Sequence, residues 1–285
     1  MTKDAARTLL AIFKNIFIGI ILGIANVIPG VSGGTMAASF GIYDQLIQLI
    51  SHLWSELKNN WRKNLLFLIP LGVGAAASIL LFSKLVTYLL ENYNVPTNFF
   101  FIGVILGSIP LIFGKTVKPR FKPSLLLPFL VTLGIMVLMA VFRDRTDTGM
   151  VMETLTVGNF FLLLLYGVIS AASMIIPGIS GSFILVLIGS YSAVMKAVST
   201  LNIPLLIPFA IGALLGLVFC AKAIGWLLER FEQLTYAAIL GFVLGSILTL
   251  FPAGFDFRRD SLICLAVLVV GGAVTYLFNR LGTEN

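Results

Sequence analysis

Apolar residues fall along this chain in ten blocks, parted by short polar stretches or by Gly and Pro. They cover roughly 9–28, 34–50, 65–90, 98–113 and 124–142, then 158–176, 182–196, 205–228, 235–251 and 261–279. About 20 apolar residues in a helix cross the hydrocarbon core of a bilayer. The pattern therefore predicts an all-α polytopic membrane protein. The first two blocks of each set of five are short for a span and are joined by a Pro-Gly-x-Ser-Gly stretch, which breaks a helix.

The two sets of five are related. Ile28-Pro29-Gly30-Val31-Ser32-Gly33 recurs as Ile176-Pro177-Gly178-Ile179-Ser180-Gly181, 148 residues later, and Gly41 and Tyr43 recur as Gly189 and Tyr191 at the same offset. From there the offset is 138: residues 68–113 align with 206–251 without a gap, matching Pro70 with Pro208, Lys84 with Lys222 and Glu91 with Glu229. The first half carries about ten extra residues around 51–64. Such ordered matches mark a duplication, with residues 1–150 as one repeat and 151–285 as the other, together one membrane domain. Five elements per repeat is an odd number, so the second half enters the membrane from the opposite side. The expected architecture is a pair of inverted-topology repeats.

Charge supports this arrangement. With the N-terminus inside, twelve Lys and Arg fall on inside segments (Lys115, Lys118, Arg120 and Lys122 among them) and four on outside ones, Arg143, Arg145, Arg258 and Arg259. That asymmetry follows the positive-inside rule and puts both termini in the cytoplasm. Composition agrees: 59% of the 285 residues are hydrophobic and 11% charged, and mean hydropathy is +1.04. The net charge of +7 then reads as orientation and not as nucleic-acid binding. Cys220 and Cys264 lie inside apolar runs and His52 is the one histidine, so no metal or other cofactor is expected.

Two placements fit the Pro-Gly-x-Ser-Gly stretches: full spans with the motif at the surface, or re-entrant helical hairpins with their tips near mid-bilayer. Tips rich in Gly, Ser and Thr and free of charge favour the hairpins, since irregular backbone at membrane depth is tolerated only inside protein or beside water. Pro29, Gly30, Ser32, Gly33, Gly34 and Thr35 form the first tip, and Pro177, Gly178, Ser180, Gly181 and Ser182 the second. Helix starts there would offer unpaired N–H groups, and the hydroxyls further donors, to an anion. The competing role for the glycines is close helix packing. Two copies in register tip the balance toward an anion site.

Lys84 and Lys222, equivalent and mid-block, are candidates to neutralise an anionic headgroup; snorkelling to an interface, or pairing with Glu91 and Glu229, accounts for them equally well. Asp44 has Ser192 as its counterpart and is either a coupling carboxylate or an ordinary interfacial acid. Asn26 precedes the first tip and is placed to bond it.

Asn26-x-x-Pro29-Gly30-Val31-Ser32-Gly33-Gly34-Thr35, with its second copy Pro177-Gly178-Ile179-Ser180-Gly181-Ser182, resembles a bacterial and archaeal membrane family associated with polyprenyl-phosphate translocation, PopT. The resemblance covers essentially the whole chain. It implies a transporter in the cytoplasmic membrane that returns undecaprenyl phosphate from the outer to the inner leaflet for reuse in cell-envelope synthesis. Its partners would be that lipid carrier and the surrounding membrane lipids, with a homo-oligomer compatible but unspecified.

Undecaprenyl-diphosphate phosphatases carry a similar Pro-Gly-x-Ser motif, but there Arg follows it and paired glutamates precede it. Here Gly33 stands in the Arg position and no Asp or Glu lies between Asp4 and Asp44. Phosphoryl transfer needs both neutralised charge and an activated nucleophile, so a non-enzymatic role is expected. A small-anion transporter or channel is the other alternative.

Overall fold

Every apolar block forms helix, and the ends of the helices are set by local chemistry. The computed structural model describes residues 3–27, 32–118, 120–142, 152, 154–252, 255 and 261–283. Among these all regular structure is helical: α1 (Lys3–Val27), α2 (Gly33–Ser39), α3 (Tyr43–Ser51), α4 (Leu53–Asn59), α5 (Trp61–Asn92), α6 (Asn94–Val117), α7 (Leu126–Val141, after a 3₁₀ turn at Pro123–Leu125), α8 (Val157–Ile175), α9 (Gly181–Leu187), α10 (Tyr191–Ser199), α11 (Ile203–Leu250) and α12 (Ser261–Thr283). The Thr156 hydroxyl caps α8 by accepting from the Asn159 N–H at 3.2 Å, and the Asn202 side chain accepts from the Leu205 N–H to start α11.

Five stretches are long and apolar enough to cross a membrane: Thr8–Ala25, Asn94–Val117, Pro123–Val141, Val157–Ile175 and Ile203–Leu250. The chain is a multi-pass membrane protein. Large apolar side chains such as Leu127, Val141, Phe161, Leu214 and Phe219 are exposed along these helices. Lipid tails cover such surface at no hydrophobic penalty.

Blocks 34–50 and 182–196 are not single helices. Each is a seven-residue helix, a bend and a nine-residue helix, α2–α3 and α9–α10. Gly41 (φ +71°) and Gly189 (φ +70°) make the bends, in a left-handed conformation that side chains with a Cβ rarely adopt. The residues before α2 and α9 also share a backbone conformation, Ser32 at φ −100°, ψ 133° and Ser180 at φ −95°, ψ 128°. Tyr93 (φ −135°, ψ 42°) separates α5 from α6, and Phe231 (φ −136°, ψ 46°) kinks α11 at the matching position. The ten extra residues of the first half build α4, which Asn64 stitches to α5 by donating to Glu56 O and Oε2 at 3.0 Å each. Those amide bonds, Asn64 first and then Asn60, hold the exposed Glu56 carboxyl below its ordinary pKa.

Helices pair across the halves as well as within them. α1 lies along α5, and α8 along the first arm of α11 (203–230). α6, however, packs on α12, and α7 on the second arm of α11 (232–250). Glycines bring the backbones together: a Cβ on Gly212 would strike the Leu164 carbonyl and one on Gly167 the Phe209 carbonyl, and Gly103 and Gly271 bear the same relation to Leu268 and Phe100 on α12 and α6. Small residues at membrane helix crossings permit such approach. Buried Ile102, Ile105, Ile239 and Val243 line the centre, and α2 and α3 are seated against them through Met36, Ala37, Phe40 and Ile47.

Candidate functional site

The two motif tips touch. Ser32, at the start of α2, donates its hydroxyl toward the carbonyls of Met174 (3.4 Å) and Ile176 (3.3 Å) at the end of α8. Thr35 Oγ1 accepts the Gly178 N–H at 2.5 Å. Ser32 and Thr35 are buried, as are Pro177 and Gly178. Gly34 is needed because a Cβ there would run into the Ile175 carbonyl. Gly178 has φ +88° and faces the Phe242 carbonyl in the same way. Gly181 abuts Ser170 of α8. The glycines of the tips thus serve close packing, whatever else they do. On the second tip the hydroxyls of Ser180 and Ser182 are 2.9 Å apart, and Ser182 is exposed.

Neither Ser32 nor Ser180 caps its own helix with its side chain; the Ser32 hydroxyl is spent on the other tip and that of Ser180 on Ser182. Both helices have only seven residues. What they can offer an anion is a few local N–H groups and not a long aligned dipole.

Removing the Thr35 hydroxyl tests the joint. Thr35→Val would leave the Gly178 N–H buried and unpaired. The expected loss is about 1–3 kcal/mol of stability, read as a lower midpoint for thermal unfolding in detergent.

Other residues singled out by sequence fall differently. Pro29 and Gly30 lie outside the described residues, as do the side chains of Asn26 and Lys84. Lys222 is exposed on α11 and takes no part in the tip contacts. Glu229, seven residues on, is exposed as well and makes no ion pair with it.

Asp44 lies in a cluster that sequence reasoning missed. Lys115 Nζ sits 2.6 Å from Asp44 Oδ2 and 2.8 Å from Tyr236 Oη. The Tyr236 hydroxyl in turn donates to Asp44 Oδ1. The triangle joins α3, α6 and the second arm of α11. The side chains of Lys115 and Asp44 are 35% and 34% exposed, while Tyr236 is buried. The expected block 98–113 left Lys115 in a loop. The helix in fact runs to Val117, and Gln233 Nε2 ties down the residues beyond its end by donating to the carbonyls of Lys118 (2.8 Å) and Arg120 (3.1 Å).

Comparison with known proteins adds a family. Residues 22–261 match the family described as undecaprenyl phosphate translocase-like. The chain is similar to a polyprenyl-phosphate transporter of Vibrio cholerae, 34% identical over 246 residues, 82% of this chain and 76% of that protein. It is likewise similar to a polyprenyl-phosphate transporter of Staphylococcus aureus, 32% identical over 280 residues, 95% of this chain and 97% of that one. No solved structure gives a significant match.

Proposed function

This chain belongs to the undecaprenyl phosphate translocase-like family, and on that premise we propose that it carries undecaprenyl phosphate across the cytoplasmic membrane, from outer to inner leaflet. It is a transporter and not an enzyme, as the names of the family and of both relatives have it. The observation that carries the mechanism is the contact between the tips, Ser32 and Thr35 against 174–178.

A phosphomonoester bears about −1.5 to −2 charges at neutral pH, and burying it bare in hydrocarbon is prohibitive. In this reading the prenyl tail stays in lipid while the headgroup passes between the tips. Hydroxyls of Ser32, Thr35, Ser180 and Ser182 and the freed N–H groups replace its water. The halves act as inverted repeats, with both termini cytoplasmic, the tips as re-entrant hairpins, and the tip contact as the closed state of the path. Tip hydroxyls already bonded to protein can exchange those bonds for the phosphate, so opening leaves no donor stranded. Lys84 and Lys222 are held as neutralising residues on their symmetry.

Moving the headgroup toward a negative interior is uphill by about 3–5 kcal/mol per 100 mV. Coupling to protons, with Asp44 as the carboxylate, supplies the difference. The test is reconstitution in liposomes with labelled undecaprenyl phosphate, while inorganic phosphate released from the diphosphate is assayed in parallel. Transport without release is expected, faster when an imposed pH gradient favours proton entry. Release without transport would establish an enzyme instead. Transport indifferent to both voltage and pH gradient would remove Asp44 from coupling.

A further inference from the structure

The Asp44–Lys115–Tyr236 triangle stands at a particular place. On the side toward the first hairpin, Lys115 lines a cavity of about 10 Å³, room for a single water, shared with Gly41, Tyr43 and Asp44. On the other side it lines an open groove of about 630 Å³ with Pro110, Gly114, Lys118 and Glu232. Tyr43 is 4% exposed, and its hydroxyl is a buried group without a hydrogen-bond partner among the described residues. Such groups are rare, because an unmade hydrogen bond in low dielectric is expensive. Two polar heads are bonded to each other here, an ammonium with three donors, of which two are assigned, and the Tyr236 hydroxyl, itself hydrogen-bonded to the carboxylate; Tyr43, with its spare hydroxyl, lines the same small cavity. Asp44 is the anion bonded to both Lys115 and Tyr236, and Glu232 is a second carboxylate on the groove side.

The cluster breaks the internal symmetry of the chain. At offset 148 Asp44 faces Ser192. At offset 138 Lys115 faces Ala253 and Tyr236 faces Asn98. None of these three counterpart positions carries a charge. A purely architectural pair would have no reason to be confined to one end of a duplicated frame. A station met at one end of a path would.

We propose that Lys115, with Tyr236 and Tyr43, is an anion station for the phosphate headgroup at the end of the path where α6 terminates, and that Asp44 is a built-in competitor which the phosphate displaces and which displaces it in turn. The inference rests on the transport reading and names two tyrosines and a lysine outside the motif. Phosphate and carboxylate use the same donors, and a dianionic phosphate accepts more charge-assisted bonds than a carboxylate. Exchange is therefore favourable, while the returning carboxylate keeps the headgroup from lodging there.

The signs of two substitutions separate exchange from simple bracing. Binding of farnesyl phosphate, a short-chain prenyl phosphate, would be measured by calorimetry on the purified full chain in detergent. Lys115→Gln is expected to weaken binding about tenfold or more. Asp44→Asn, which frees the ammonium from its competitor, is expected to tighten it several-fold. Lys115→Arg, which keeps the charge should Gln at this position impair folding, is expected to stay closer to wild type than Lys115→Gln. If both Asp44→Asn and Lys115→Gln shift affinity in the same direction, the pair only braces α3 against α6 and the proposal is overturned. If wild type binds no farnesyl phosphate and moves no undecaprenyl phosphate in liposomes, the transport reading itself has failed. Wild-type transport with unchanged binding in both variants overturns the station alone.

Discussion

Replacing Ser32 and Ser180 together by alanine is expected to lower transport of undecaprenyl phosphate in proteoliposomes by about a hundredfold or more, with little change in the yield of folded protein. A hydrogen bond to a charged group contributes about 1.5–3 kcal/mol. Two of them lost from a headgroup in transit remove about 3–6 kcal/mol, and each 1.4 kcal/mol is a factor of ten. The folded state loses less. The two Ser32 contacts, at 3.3 and 3.4 Å, lie at the long limit for a hydroxyl donor, and among the described residues the Ser180 hydroxyl bonds to Ser182. Transport rates would be normalised to protein recovered in the liposomes, with thermal unfolding as the control on fold. Transport within about threefold of wild type would take the tip serines out of the path.

Gly212→Val is expected to leave little folded protein, at a cost of about 3 kcal/mol or more. Position 212 is one side of a reciprocal contact: its missing Cβ leaves space for the Leu164 carbonyl, while Gly167 on α8 leaves space for the Phe209 carbonyl of α11. Neither side can yield, because each obstacle is helix backbone. Gly134→Ala on α7 is the contrast, since nothing lies within 4 Å of where its Cβ would stand. There alanine is expected to stabilise by about 0.5–1 kcal/mol, the helix propensity difference. Thermal midpoints in one detergent decide both. A Gly212→Val protein as stable as Gly134→Ala would mean that α8 and α11 do not cross this closely.

Sequence pattern carried the helices because lipid demands long apolar runs. It carried the interruption between α8 and α9, because Pro177 and Gly178 break a helix. It was less informative where structure depends on a single backbone angle. Gly41 and Gly189 stood out as matched residues, yet their positive φ, which bends blocks 34–50 and 182–196, has no signature in hydropathy. At Phe231 the reverse holds: the polar stretch 229–233 suggested a gap between blocks, and the helix passes through it with one kinked residue. The Asp44 cluster was illegible for another reason. Its members lie 71 to 192 residues apart, so no local spacing betrays them. Lys115 counted as a loop charge, and Tyr236 as one aromatic in an apolar run. Only the packing of α3 and α6 against α11 brings them together.

The crossed pairing of α6 with α12 and of α7 with the second arm of α11 bears on how such a protein is made and how it arose. A ribosome that has delivered residues 1–142 has placed two helices in the bilayer whose partners do not yet exist. Insertion and assembly are therefore separate events, and the first half must wait, with its small-residue faces toward lipid, until the second arrives. Seen from the gene, one half-length chain could have closed the same contacts only against another copy of itself. The present polypeptide holds those crossed contacts within one chain, and positions matched between its halves differ, as Asp44 opposite Ser192 does.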